Sequence, residues 1–255
     1  MNIFAEQSKF SRQKSHNLIL RRYRAAASDC CMSVDTIIFD LDGTLVDTAP
    51  DLVDTLNEIF AREGLAPLPY DTARNFVGGG ARAMISRGMH AMNLSLSPER
   101  LDNLFADFIA HYTEHIADRS RPFPGVIDTL DELAARSCRL AICTNKLERL
   151  SFRLLDELKI SDRFAAVCGQ DTFGIQKPDP EILRRTVTAA GGILRQSVMV
   201  GDSATDIQTA RAAGIPVVAV NFGYSESPVA EFNPDRVISD FRELPEAVAA
   251  VSSPG

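Results

Sequence analysis

No apolar run in this sequence approaches the roughly 20 residues that span a bilayer. Runs such as Val217 to Val220 fall far short, which excludes a transmembrane helix. The apolar core of a secretory signal is missing as well. Nor is there a basic surplus, since 27 Lys and Arg stand against 34 Asp and Glu for a formal net charge of −7. Six of the basic and two of the acidic side chains fall within residues 1–31, so the remainder holds 21 basic and 32 acidic residues. A body this acidic argues against a nucleic-acid surface, which needs dense Lys and Arg. The five cysteines, Cys30, Cys31, Cys138, Cys143 and Cys168, are odd in number and lack paired metal-ligand spacing. They read as buried, reduced thiols of a cytoplasmic protein.

The chain, 255 residues of which 45% are hydrophobic and 24% charged, is long enough for one core domain plus an insert. Residues 1–33 carry no sustained apolar period and read as a disordered leader, with Met32 a candidate true start. A mitochondrial transit peptide is the alternative for this Arg-rich, acid-poor stretch. From Thr36 short apolar runs alternate with helical stretches, the pattern of a parallel sheet with crossover helices. Strands are expected at Thr36–Phe39, Leu140–Cys143, Ala165–Cys168, Val198–Val200 and Pro216–Val220, with a weaker one near Val237. Helices are expected at Val126–Arg136, Leu147–Leu158, Pro180–Ala190 and Thr205–Ala213. The alternation stops from Thr48 to about Asp118, where only amphipathic helical patterns occur; Arg121-Pro122-Phe123-Pro124-Gly125 then reads as a stiff return linker. The expected architecture is therefore α/β: a Rossmann-like parallel sheet flanked by helices (34–47 and 121–255) with an inserted all-helical cap (48–120).

Four constellations carry chemistry. Asp40-Leu41-Asp42-Gly43-Thr44 follows the first strand, where two carboxylates two residues apart can face the crevice outside the strand ends and Gly43 permits a sharp turn. Turn capping is the alternative for an isolated Asp-x-Asp. Gly201-Asp202-Ser203-Ala204-Thr205-Asp206 follows another strand, with Asp206 one helical turn beyond Asp202; a capping box accounts for Asp206 but not for Asp202. Carboxylates converging in one pocket repel unless a cation sits among them, and all-oxygen ligation favours Mg²⁺. Thr144-Asn145-Lys146 closes a third strand, where a hydroxyl and amides suit phosphate oxygens and an ordinary turn is the alternative. Lys177 precedes Pro178-Asp179-Pro180; Asp179 and Pro180 fit a helix start, which leaves Lys177 as a positive charge held by a rigid segment.

In this order, and each at a strand end or helix start, the four resemble the motifs of the haloacid dehalogenase superfamily, over about Val34 to Leu244. The resemblance implies Asp40 as nucleophile and Asp42 as general acid and base. It implies Thr144, Asn145 and Lys177 as phosphate-binding residues, and Mg²⁺ held by Asp40, Asp202, Asp206 and the carbonyl of Asp42. Asp42 separates this chain from the dehalogenases of the superfamily, which have no acid there because halide leaves without a proton.

The insert resembles the cap that closes over such sites and selects small phosphorylated metabolites, which argues against phosphoprotein substrates. Within it, Gly78-Gly79-Gly80 leads into a helix and offers bare amides to an anion, or is a flexible turn. This segment, with Asp40 to Leu52, is similar to phosphoglycolate phosphatases and implies 2-phosphoglycolate as substrate, bound by Gly79, Gly80 and Arg82. Many members have a polar residue where this chain has Gly79. The alternatives are a phosphatase or phosphomutase of sugar phosphates, a pyrophosphatase, and a non-catalytic regulatory binder. Thr44 stands where the mutases often have Val. Phosphonoacetaldehyde hydrolysis needs a cap lysine, and residues 48–120 contain none.

Overall fold

The protein is described by a computed structural model covering residues 34–252. The proposed leader, including Cys30, Cys31 and Met32, lies outside the described residues. Strands β1 (Thr36–Phe39), β4 (Arg139–Cys143), β5 (Ala166–Cys168), β6 (Ser197–Gly201), β7 (Val217–Val220) and β8 (Arg236–Ile238) form one sheet. Its order is β5-β4-β1-β6-β7-β8 and every pairing is parallel. Such sheets are buried on both faces, and the near-continuous apolar strands reflect that. In β1, Ile37 and Phe39 join the cluster of α5 (Val126–Ala135), α6 (Glu148–Glu157) and α9 (Leu244–Ser252), while Ile38 faces the cluster of α7 (Pro180–Ala189) and α8 (Ala204–Ala213). That alternation is the period-2 pleat of a central strand sandwiched between helical layers.

The chain leaves β1 toward β4 and β5 on one side and toward β6, β7 and β8 on the other. The order thus reverses beside β1, and the carboxyl ends of β1, β4 and β6 surround the crevice where doubly wound sheets bind ligands. Between β1 and β4 the chain inserts α1 (Ala49–Arg62), α2 (Tyr70–Arg74), α3 (Ala81–Ala91) and α4 (Pro98–Glu114). The segments entering and leaving this insert pair as a two-stranded antiparallel ribbon, β2 (Val46–Asp47) with β3 (Arg121–Pro122). Asp51, in the first turn of α1, ties the same point from its side chain by accepting from Arg119 N, Ser120 N and Ser120 Oγ. The entry and exit of the insert are held together by these bonds.

The sheet was expected within one residue at most strand ends. The ribbon was not, because two residues are too few to show a period and Arg121-Pro122 reads as a linker. The three described cysteines are free and buried, and burial pushes their thiols up, to about 11 for Cys138 and Cys168 and about 12 for Cys143. None of the helices in the described residues is long and apolar enough to cross a membrane.

Candidate active site

Asp40 is the first residue past β1, still bonded through its amide to Val200 O of β6 at 2.9 Å. Its carboxylate, with those of Asp202 and Asp206, forms a buried cluster in which one oxygen from each lies within 4.8 Å of the others. Three strand and helix ends deliver this: β1 presents Asp40, Gly201 at the end of β6 presents Asp202, and the first turn of α8 presents Asp206. Lys177 is inserted among them, with Nζ 2.8 Å from Asp40 Oδ1 and 2.6 Å from Asp206 Oδ1. Burial alone would drive this ammonium toward neutrality, yet the Asp206 and Asp40 charges outweigh it and its pKa is raised.

The carboxylates pay for this crowding. Asp40 is pushed up to about 6 by burial, opposed by Lys177 and reinforced by Asp206. Asp202 is pushed up to about 8, by burial first and then by repulsion from Asp206 and Asp40. Among the described residues, Asp40 Oδ1 is the buried side-chain atom with no hydrogen-bond partner, its close neighbour being the Lys177 ammonium at 2.8 Å. Hard oxygen donors, excess negative charge and an orphaned carboxylate oxygen all fit a divalent cation of the Mg²⁺ type.

Asp202 is fixed from two sides, by Thr44 Oγ1 at 3.1 Å and by the amide of Tyr224 at 2.8 Å. It has room only because glycines surround it. A Cβ on Gly43, which sits at φ +88°, would lie 2.4 Å from Asp202 Oδ2, and one on Gly223 would lie 2.2 Å from Asp202 Cβ. Asp206 serves two purposes at once. Its Oδ2 closes a capping box with Ser203 N and Oγ while Oδ1 receives Lys177. Asp206 thus caps α8 and faces the carboxylate cluster at the same time.

Above the cluster opens a pocket with Asp40, Asp42, Thr144 and Asn145 in its lining, closed by cap side chains including Met84, Phe108 and Tyr112. Asp42 accepts from Thr48 Oγ1 at 2.7 Å and from Lys146 Nζ at 2.9 and 3.2 Å. The side chain of Asn145 makes paired bonds to the backbone of Lys177, at 2.9 and 3.2 Å, so it positions that lysine. Gly80 lines the pocket and Gly79 does not. Arg82 is outside it: the side chain is half exposed, pairs with Asp102 and lies over the Phe105 ring at 4.2 Å. The helix turns it outward, so the expectation that Arg82 meets a substrate carboxylate is not matched by its position.

Lys146 and Tyr112 are the residues that sequence reasoning passed over. Lys146 Nζ bonds Tyr112 Oη at 2.9 Å and both side chains are buried. The signal for Lys146 was its place two residues after Thr144 at a strand end. Tyr112 had none, being one apolar-face position among several on α4. Tyr224 was missed too; its hydroxyl donates to Asp47 at 2.6 Å and accepts from Ala49 N at 2.9 Å, which joins the Asp202 loop to the cap entrance.

Comparisons with known proteins place the chain in a family. Residues 37–220 match the model of haloacid dehalogenase-like hydrolases. A phosphoglycolate phosphatase of Mesorhizobium japonicum is 50% identical over 213 residues, spanning 84% of this chain and 94% of that one. One from Caulobacter vibrioides is 49% identical over 212 residues, spanning 83% and 90%. Among solved structures, a predicted phosphoglycolate phosphatase from Haemophilus somnus superposes with a TM-score of 0.80 at 28% identity, covering 85% of this chain and 99% of that one. A match running from β1 to the end of β7, and relatives that share half their residues across most of both chains, make this protein a member of the haloacid dehalogenase-like hydrolases.

Proposed function

We propose that the protein is a Mg²⁺-dependent phosphatase that hydrolyses 2-phosphoglycolate to glycolate and phosphate through an aspartyl-phosphate on Asp40. The observation that carries this reading is the buried meeting of Asp40, Lys177, Asp202 and Asp206, with Asp40 also in the lining of the pocket beneath the insert. The relatives at 47 to 50% identity that bear the name phosphoglycolate phosphatase support the substrate.

Asp40, Asp202 and Asp206 would hold the cation, which supplies positive charge to the phosphoryl oxygens when bound. Asp40 attacks phosphorus opposite the ester oxygen, and Lys177 and Thr144 stabilise the charge spread over the equatorial oxygens. Asp42 gives a proton to the departing alkoxide and then takes one from the water that opens the aspartyl-phosphate. The cap keeps bulk water out while the acyl phosphate exists. Purified protein is expected to release inorganic phosphate from 2-phosphoglycolate with Mg²⁺ and not with a chelator. Turnover of sugar phosphates or pyrophosphate in preference to it would overturn the substrate, and no release from any ester would overturn the phosphatase.

The glycines around Asp202 offer a milder test. Gly223→Ala would force the Asp202 carboxylate aside, and altering a metal ligand's support costs about 10- to 100-fold in affinity. The Mg²⁺ concentration for half-maximal activity is expected to rise by about that factor, with kcat at saturating metal largely restored.

A further inference from the structure

We infer that Lys146 is the residue that receives the substrate's carboxylate and so sets the specificity of the site; this rests on the phosphatase reading above. With Arg82 turned outward, Lys146 is the one cationic side chain in the pocket lining among the described residues. The wall around it is apolar, with Leu52, Met84, Phe108 and Ile109 contributing. A carboxylate entering such a wall without a cation loses its hydration uncompensated, so an anionic alcohol group needs this ammonium.

The position of Lys146 also fits the length of the ester. Its Nζ lies 2.9 and 3.2 Å from the Asp42 oxygens, so a group one carbon away from an ester oxygen resting on Asp42 is within reach of Lys146. In a phosphate ester of glycolate, the ester oxygen and the carboxylate oxygens are separated by about 3 Å, as N and O are across one residue of a peptide backbone. The ester oxygen on Asp42 and the carboxylate on Lys146 then close a four-cornered ring with sides of similar length. An extra methylene lengthens one side by about 1.3 Å and breaks the match.

Lys146 is held in place rather than free to follow a longer ligand. Tyr112 Oη takes one of its donors at 2.9 Å and the Tyr112 ring lies 4.5 Å from Nζ. Its own amide donates to Thr144 Oγ1 at 3.2 Å, so the residues meeting the two ends of the ester share one turn.

The test compares kcat/KM of wild type and Lys146→Met on 2-phosphoglycolate, ethyl phosphate and 3-phosphooxypropionate, with melting curves for both proteins. Wild type is expected to prefer phosphoglycolate over each of the other two by about 100-fold, the scale of one charge-assisted bond in a dry site. Lys146→Met is expected to reduce the ratio of phosphoglycolate to ethyl phosphate to within about 10-fold. A lysine that served only to support Asp42 would lower both esters together and keep the ratio, and that result overturns the inference. Should the variant not fold, wild type decides alone, because equal use of phosphoglycolate and ethyl phosphate overturns the inference while leaving the phosphatase standing. Absence of release from all three esters removes the phosphatase reading and this inference with it.

Discussion

Asp40→Asn is expected to lower turnover by about 10⁴-fold or more and to leave the protein folded. The amide keeps the shape of the carboxylate and loses the nucleophile, so no acyl phosphate forms on residue 40. The substitution also lifts a burden from the resting protein. Asp40 is among the charges that push Asp202 up, and Lys177 retains Asp206 at 2.6 Å when Asp40 is neutral. Without metal, the melting temperature of the variant is therefore expected to equal or exceed that of the wild type. Phosphate release and thermal melting on the same sample check both halves. A variant that melts well below wild type, or that keeps more than about a hundredth of the activity, would show that Asp40 is there for structure.

The expected loss of activity with retention of the fold follows from how the site is assembled. Each reactive group sits on an element whose position is set by apolar packing elsewhere: β1, β4 and β6 are buried through both faces, and α8 is anchored by Ile207 and Ala210. The carboxylates add repulsion to a frame that is stable without them. The same separation explains how the cap reaches the site. Arg74 of α2 donates to the carbonyls of Phe222 and Gly223 at 3.3 and 3.0 Å and lies 5.2 Å over the Tyr224 ring. The loop that bonds Asp202 through Tyr224 N is thus in contact with the cap through a few polar bonds.

How much of this was legible in the sequence follows from the range of each signal. Asp40, Asp202 and Asp206 lie at ends of strongly periodic elements, so their position and shared crevice could be read from strand ends and parallel order, while Lys177 lies in the loop ahead of α7, where the Pro-Asp-Pro segment was its signal. Asn145 was placed in the right loop, but its paired bonds to the Lys177 backbone span 32 positions and no local pattern encodes them. Arg82 failed for a related reason. The Gly78–Gly80 run correctly predicts a helix start, and the side chain's direction depends on where α3 packs on α4, which brings Arg82 to Asp102. Lys146 closes the Thr144-Asn145-Lys146 turn, but its burial comes from the insert, through Tyr112, which no local pattern encodes.

Removing the cation is expected to abolish turnover, by about 10³-fold or more, and to destabilise the protein in a manner that grows with pH. Without metal, burial and mutual repulsion push Asp40 up to about 6 and Asp202 up to about 8, both above the ordinary 3.8 of a carboxyl in the unfolded chain. A carboxyl raised on folding keeps its proton more tightly in the native state, so its contribution is present in full below about pH 4 and is lost as pH rises through 6 and then 8. Mg²⁺ favours the ionised form that the empty cluster resists, so its stabilising effect must increase over that interval. Groups that titrate alike with and without metal cancel in the difference between the two melting curves. At a hundred times the dissociation constant a ligand adds about 2.7 kcal/mol, which for a chain of this size is roughly 5–10 °C. That gap between Mg²⁺ and chelator is expected near pH 8, with a clearly smaller one near pH 5.5. An equal shift at both values would mean that the carboxylates are not what the metal neutralises.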